Sequence, residues 1–289
     1  MSKQSGSLSI ESKNIFSILK KWLYTEQDIV FRELISNASD AIEKLSALQE
    51  AGKIAGGYPA GKITVTLDTE ENRIIISDNG IGMTEEEIDK YINQIAFSGA
   101  AEFINQYSEK QGDTIIGHFG VGFYSAFMIA DHVAIETKSY LEDAPAVRWD
   151  CSSDMSYEMT TGARKSHGTD VILYLNENNP YREKPGTVHD IIKKYFMFLK
   201  TEISFHAPDF DHVLVNDTNP VWKQPDTLTA TEEMNKFYRA YYDDVSDPLF
   251  WIKFESVDIG IRGIIFFRNT KNQAEEIDGS FKIYNQGVY

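Results

Sequence analysis

The chain has a single cysteine, Cys151, in 289 residues. One thiol forms no intramolecular disulfide and no cysteine-based metal cluster, so the sequence suits a reducing compartment, and Cys151 itself reads as a packed thiol. Long apolar runs are also missing. No stretch approaches the roughly 20 residues that cross a bilayer, and residues 1–10 are too polar for the core of a signal peptide. Both absences predict a cytoplasmic chain with no membrane partner. Basic charge is short as well: 28 Lys and Arg stand against 44 Asp and Glu, a net charge of -16. Such a chain repels a phosphate backbone at long range, which disfavours nucleic acid as the main partner. A small anion can still bind in one electropositive pocket.

What is present is the composition of a globular protein, 42% hydrophobic and 25% charged, with enough length for one large domain and part of a second. Residues 31–42 read Phe-Arg-Glu-Leu-Ile-Ser-Asn-Ala-Ser-Asp-Ala-Ile. On a helix, residues three and four apart stack. Glu33, Asn37, Asp40 and Ala41 therefore form one stripe, and Val30, Leu34, Ile35, Ala38, Ile42 and Leu45 another. The apolar stripe predicts a core face. Two carboxylates and a carboxamide beside a small alanine suit either a ligand site or a plain solvated face.

Around this helix the pattern predicts a short strand at 8–12 and a helix over 14–24. Thr25 is placed to cap the central helix, which runs to about Gln49. After a glycine-rich loop, strands over 63–67 and 73–77 flank an acidic turn. The second strand delivers Asp78, followed by Gly80, Gly82 and Met83. Glycines at alternate positions let the backbone approach a ligand, and a carboxylate there can accept from an amino group. A helix over 84–95 leads through a small-residue segment to Gly117, His118, Phe119, Gly120, Val121 and Gly122, directly before an apolar helix starting at Phe123. That run offers backbone N–H groups at a helix start, a cradle for phosphate. It lacks the glycine spacing of a dinucleotide fingerprint and the Gly-Lys-Ser/Thr of a P-loop. His118 reads as a filler within it. Strands over 133–137, 147–150, 157–160 and 169–175 follow, the last opened by Gly168-Thr169, then a helix over 188–199 and a strand over 203–206.

In their fixed order, Glu33 with Asn37, Asp40 and Ala41, then Asp78 with Gly80 and Gly82, then Gly117 to Gly122, then Gly168-Thr169, these motifs resemble the Bergerat-fold (GHKL) ATPases. The wording of residues 31–41, 80–84 and 117–127 is most similar to the 90-kDa heat-shock chaperones, in their bacterial HtpG-like branch. Trp222 and Asp247-Pro248-Leu249-Phe250 resemble the start of that family's middle domain.

The resemblance implies an α/β (α+β) two-layer sandwich with a mostly antiparallel sheet. It implies an N-terminal ATP-binding domain over 1–215 with a lid at about 91–123, and a linker and incomplete second α/β domain over 216–289. ATP and Mg²⁺ are the implied ligands. Glu33 matches the general base, Asn37 the Mg²⁺ ligand, and Asp78 the acceptor of the adenine amino group, helped by Thr169. Ala41 and Gly82 border the base, and Gly117, His118, Phe119, Gly120, Val121, Gly122 and Phe123 wrap the phosphates. The activity implied is slow ATP hydrolysis driving clamping on unfolded or client proteins. The full-length protein would be a homodimer, which leaves this chain free to be a monomer.

Two features depart from the family pattern. Phe97 stands where many members carry a lysine, and Tyr91 where they carry asparagine. The strand-like end of the chain and the lack of a residue matching the family's middle-domain arginine predict weak hydrolysis with binding intact. The alternatives are an ATP-gated clamp of the mismatch-repair or topoisomerase type, or a non-catalytic nucleotide sensor.

Overall fold

The computed structural model describes residues 27–54, 57–93, 122–177, 179–224, 231–242, 246–256, 261–269, 282–285 and 287–289. The expected strand at 8–12, the helix over 14–24, the cap at Thr25, Phe97 and Gly117 to Val121 lie outside them.

Helix α1 (Ile29–Glu50) forms where apolar residues recur at helical spacing. Val30, Phe31, Leu34, Ile35, Ala38, Ile42, Leu45 and Leu48 are all buried on one side. It ends in a paired closure: Gly52 N–H donates to Gln49 O (2.9 Å) and Lys53 N–H to Leu48 O (2.9 Å), using carbonyls the last turn leaves over. Strands β1 (Lys62–Asp68) and β2 (Arg73–Asp78) follow as an antiparallel hairpin. Their odd and even positions respectively, Ile63, Val65, Leu67 and Ile74, Ile76, Asp78, point under α1.

Helix α2 (Glu85–Tyr91) begins at a capping box. Thr84 Oγ1 accepts from Glu87 N–H (3.2 Å), and Glu87 Oε2 accepts from Thr84 N–H (2.8 Å). Glu85, Glu86 and Glu87 sit at its positive end and Lys90 in its last turn. Thr84→Ala is expected to lower the unfolding free energy by about 1 kcal/mol in urea denaturation at unchanged m-value.

The remaining strands are β3 (Ala130–Lys138), β4 (Val147–Ser152), β5 (Tyr157–Thr161), β6 (Gly168–Leu175), β7 (Glu202–Ala207) and β8 (Phe210–Leu214). With β1 and β2 they make one eight-stranded sheet in the order β5-β4-β3-β6-β2-β1-β7-β8. Every neighbouring pair is antiparallel except β1 with β7. Helix α1 and the helix α3 (Pro185–Phe196) cover one face, so the molecule is the expected two-layer α/β sandwich with its core between.

Three elements differ from the sequence pattern. The apolar helix expected from Phe123 is a seven-residue 3₁₀ helix, Gly122–Met128, which ends where β3 begins at Ala130. Strand β8, short and largely exposed, and helix α4 (Thr231–Tyr242), whose Met234, Phe237, Tyr238, Tyr241 and Tyr242 recur at helical spacing, are additional to the expected elements. Strands β9 (Phe250–Ser256) and β10 (Ile261–Phe267) form a separate hairpin. Helix α4 meets it through Tyr238 and Phe266 (5.1 Å), and meets the end of α3 through Phe198, Trp222 and Tyr241.

Candidate nucleotide site

Alternation along β2 puts Asp78 in the same inward row as Ile74 and Ile76, so the row that begins as core ends in a carboxylate. Asp78 pairs in register with Thr169 of β6, and Thr169 with Thr137 of β3. Cross-strand partners share a face, so three polar side chains form one line across three strands beneath the helices. All three are buried. Thr137 and Thr169 hydroxyls lie 2.9 Å apart, and Thr137 Oγ1 also accepts from Met83 N–H (3.0 Å) and donates to Gly168 O (3.1 Å). Thr137 is the member that motif reading missed. The alternation Val133, Ile135, Thr137 along β3 carried the signal.

Asp78 Oδ1 accepts from Gly80 N–H (2.8 Å). Burial pushes the Asp78 carboxyl up to about 7, against the opposing pull of the Gly80 N–H and the Arg164 charge. A carboxyl so poised gains from a ligand that brings a donor. The turn carrying it is held from behind: Arg164 Nη2 donates to Asp78 O (2.5 Å), Arg164 pairs with Asp170, and His167 Nδ1 lies 2.8 Å from Gly80 O.

The loop after β2 docks onto α1. Gly80 rides directly on Ala41, where a Cβ would fall 2.5 Å from the Ala41 carbonyl carbon, and Ile81 N–H donates to Ala41 O (3.0 Å). Gly82 has φ +63°, and a Cβ there would lie 1.8 Å from Lys138 O, so no other residue fits between β3 and this loop. The result sets Asp78 beside the Ala41 end of the helical stripe.

At the stripe's other end stands Glu33, two turns away on the same side of α1. Gly122 closes against it: a Cβ on Gly122 would meet Glu33 Oε2 at 2.3 Å. The last glycine of the Gly-X-X-Gly-X-Gly run is therefore packed against the carboxylate, and a side chain there would displace the Glu33 head group. Arg32 Nη2 pairs with Glu33 Oε1 at 3.1 Å, which leaves Oε2 on the Gly122 side. Asn37, between Glu33 and Ala41, is exposed. The 3₁₀ helix thus starts beside Glu33, while the Phe123 ring is buried against Trp149 (5.7 Å).

Asp40 is the deeply placed member of the stripe, next to Ala41. It is buried and lies in the field of Lys44, whose pKa burial lowers while Asp40 and Glu87 raise it. Of the expected site residues, then, Glu33, Asn37, Ala41, Asp78, Gly80, Gly82, Met83, Gly122, Phe123 and Thr169 come together around α1 and the ends of β2 and β6. Gly117, His118, Phe119, Gly120 and Val121 lie outside the described residues.

A carboxylate and threonine row at strand ends, under a helix bearing Glu and Asn, over a mostly antiparallel sheet, defines a class of nucleotide-binding ATPase. Residues 24–171 match the family model described as "Histidine kinase-, DNA gyrase B-, and HSP90-like ATPase", and the chain belongs to that family. Within it the chain is HtpG-like. It is 38% identical over 302 residues to a chaperone protein HtpG of Porphyromonas gingivalis, covering 100% of this chain and 44% of that one. It is 37% identical over 298 residues to a chaperone protein HtpG of Bacteroides thetaiotaomicron, covering 99% and 43%. A mitochondrial TNF receptor-associated protein 1 homolog of Dictyostelium discoideum is 34% identical over 264 residues, covering 90% and 36%. The chain spans less than half the length of these relatives.

Proposed function

We propose that this chain binds Mg-ATP between α1 and the sheet and hydrolyses it, as the nucleotide-driven part of a molecular chaperone acting on unfolded or client proteins. The observation that carries the reading is the line of Asp78, Thr169 and Thr137 facing the Glu33, Asn37 and Ala41 side of α1. In this reading the adenine amino group donates to Asp78 and, through water, reaches Thr169. Gly80, Gly82 and Ala41 border the base, and Met83 edges it. Asp40 supports the base side of the helix beside Lys44.

Glu33 is the group placed to orient and deprotonate a water near the terminal phosphate. The Arg32 guanidinium keeps that carboxylate aimed. Backbone N–H groups of Gly117 to Phe123 hold the phosphates, where donors that need no reorganisation stabilise developing charge. Asn37 fits Mg²⁺, being an exposed oxygen donor one turn from Glu33. When bound, the ion neutralises phosphate charge.

The same reading divides the chain into a nucleotide domain over 1–215 and the start of a second domain over 216–289. It places the chain in the cytoplasm, exchanging ATP and ADP, and gives the longer protein a homodimeric form, with neither nucleic acid nor membrane as partner. No helix among the described residues is long and apolar enough to cross a membrane.

The test is calorimetric titration of ATP with Mg²⁺ and in EDTA, followed by single-turnover hydrolysis. One site, weakened by chelation and followed by release of phosphate, is expected. Binding without any hydrolysis would make the chain a nucleotide sensor, and no binding would overturn the reading.

A further inference from the structure

On the face of the sheet away from the helices, at its β8 edge, lies a second cluster of side chains with ligand chemistry. Ile203, Phe205 and Ala207 of β7 are buried toward the helix layer, so His206 projects from the other face. Ala207 pairs with Phe210, and Phe205 with Val213. One residue of β7, His206, therefore faces two of β8, Asp211 and His212. This is a β-bulge, and His212 carries the strained backbone it needs, φ +50°. Consecutive strand residues ordinarily point to opposite faces. The extra residue sends Asp211 and His212 to the same face as His206.

The consequence is a His₂Asp cluster in which one donor atom from each residue lies within 4.8 Å of the other two. The two imidazole rings stack at 4.6 Å, and His206 Nδ1 lies 3.7 Å from Asp211 Oδ1. That separation is too long for a hydrogen bond. His206 Nδ1 is nevertheless shut off from solvent, and it is the one such buried side-chain atom without a hydrogen-bond partner among the described residues. A buried nitrogen without a partner costs free energy unless something else binds it.

We propose that His206, Asp211 and His212 bind a divalent transition-metal ion of the Zn²⁺ class. Two imidazoles and one carboxylate are its preferred ligand set, with a water completing the shell. Metal–ligand distances of about 2.0–2.1 Å place tetrahedral donors roughly 3.3 Å apart, so small side-chain rotations close the present cluster onto an ion. Mg²⁺ and Ca²⁺, which take oxygen ligands, do not suit it. The ion would join β8 to β7 across the bulge, pinning an edge strand whose outer residues Val213 and Leu214 are exposed. This site is independent of the nucleotide reading, since the sheet separates the two.

Zn²⁺ is titrated into the untagged, EDTA-stripped chain, with Co²⁺ absorption as a reading of the ligand shell. One equivalent is expected to bind in the parent. Asp211→Asn keeps the shape, and His212→Asn keeps a residue that tolerates positive φ; each should weaken binding at least tenfold and diminish the Co²⁺ bands. Melting in EDTA shows whether the variants remain folded, and His206→Gln replaces any that does not. In the parent alone, Zn²⁺ should raise the melting temperature. Failure of the parent to bind Zn²⁺ saturably, or binding indifferent to these substitutions in folded chains, overturns the proposal.

Discussion

Asp78→Asn is expected to weaken Mg-ATP binding at least hundredfold, by calorimetry, while leaving the chain more stable than the parent at pH 8. The two effects have one cause. Asp78 is a buried acceptor whose negative charge is costly without a donor, and the adenine amino group is the donor proposed for it. Asparagine keeps the shape and can still accept from Gly80 N–H, but it turns an N–H₂ toward the amino group. Losing a hydrogen bond to a charged group and setting two donors face to face costs about 3 kcal/mol or more of binding.

Stability moves the other way. Burial raises the folded pKa of Asp78 to about 7, above its ordinary value of 3.8. The native chain thus holds this proton more tightly than the unfolded one between those values. The resulting stability is complete below about pH 4 and is lost as pH rises through 7, with a ceiling on the order of 4 kcal/mol. At pH 8 the parent carries that burden and the asparagine variant does not. Nucleotide affinity of the parent should fall by up to tenfold per pH unit below 7, as protonation of Asp78 removes the charge the ligand needs. The variant's residual binding should lack this dependence. A variant that binds like the parent, or melts earlier at pH 8, would refute the assignment.

The second large effect concerns Glu33. Glu33→Gln is expected to lower single-turnover hydrolysis by a factor of roughly 10²–10⁴, the usual contribution of a positioned general base, with the Kd for Mg-ATP changed less than about threefold. Glutamine retains the packing against Gly122, where the carboxylate lies within reach of the missing Cβ. Loss of turnover with binding retained therefore reports chemistry rather than a collapsed site. Equal loss of binding would instead make Glu33 a structural prop for the 3₁₀ helix that starts at Gly122, and unchanged turnover would remove it from the mechanism.

Local periodicity carried much of this architecture. The apolar stripe of α1 is buried as its spacing requires, because a helix returns every third or fourth residue to the same side. The alternation of β2 aimed Asp78 inward with Ile74 and Ile76 before any partner strand was known. The glycines of the site were legible as a pattern, though their reasons were not: Gly82 is forced by Lys138 O and Gly80 by the Ala41 backbone, while Gly122 leaves Glu33 its position.

Other features depended on how separate elements pair and pack. Thr137 joins the site only because β3 lies beside β6 in a register that aligns it with Thr169, and register belongs to the pair of strands. Asp40 shares a helical stripe with Glu33 yet is buried, in the field of Lys44, since burial depends on what packs against each side of α1. The helix expected at Phe123 stops at Met128 because β3 starts where a further turn would have run. His206, Asp211 and His212 read in sequence as unrelated polar residues, and one unpaired residue in β8 turned them to a common face. By itself the sequence determined which residues of the main elements face the core, where most helices and strands lie, and which chemistry was available. Tertiary structure decided which of those groups meet, because pairing, register and bulges join residues far apart in the chain.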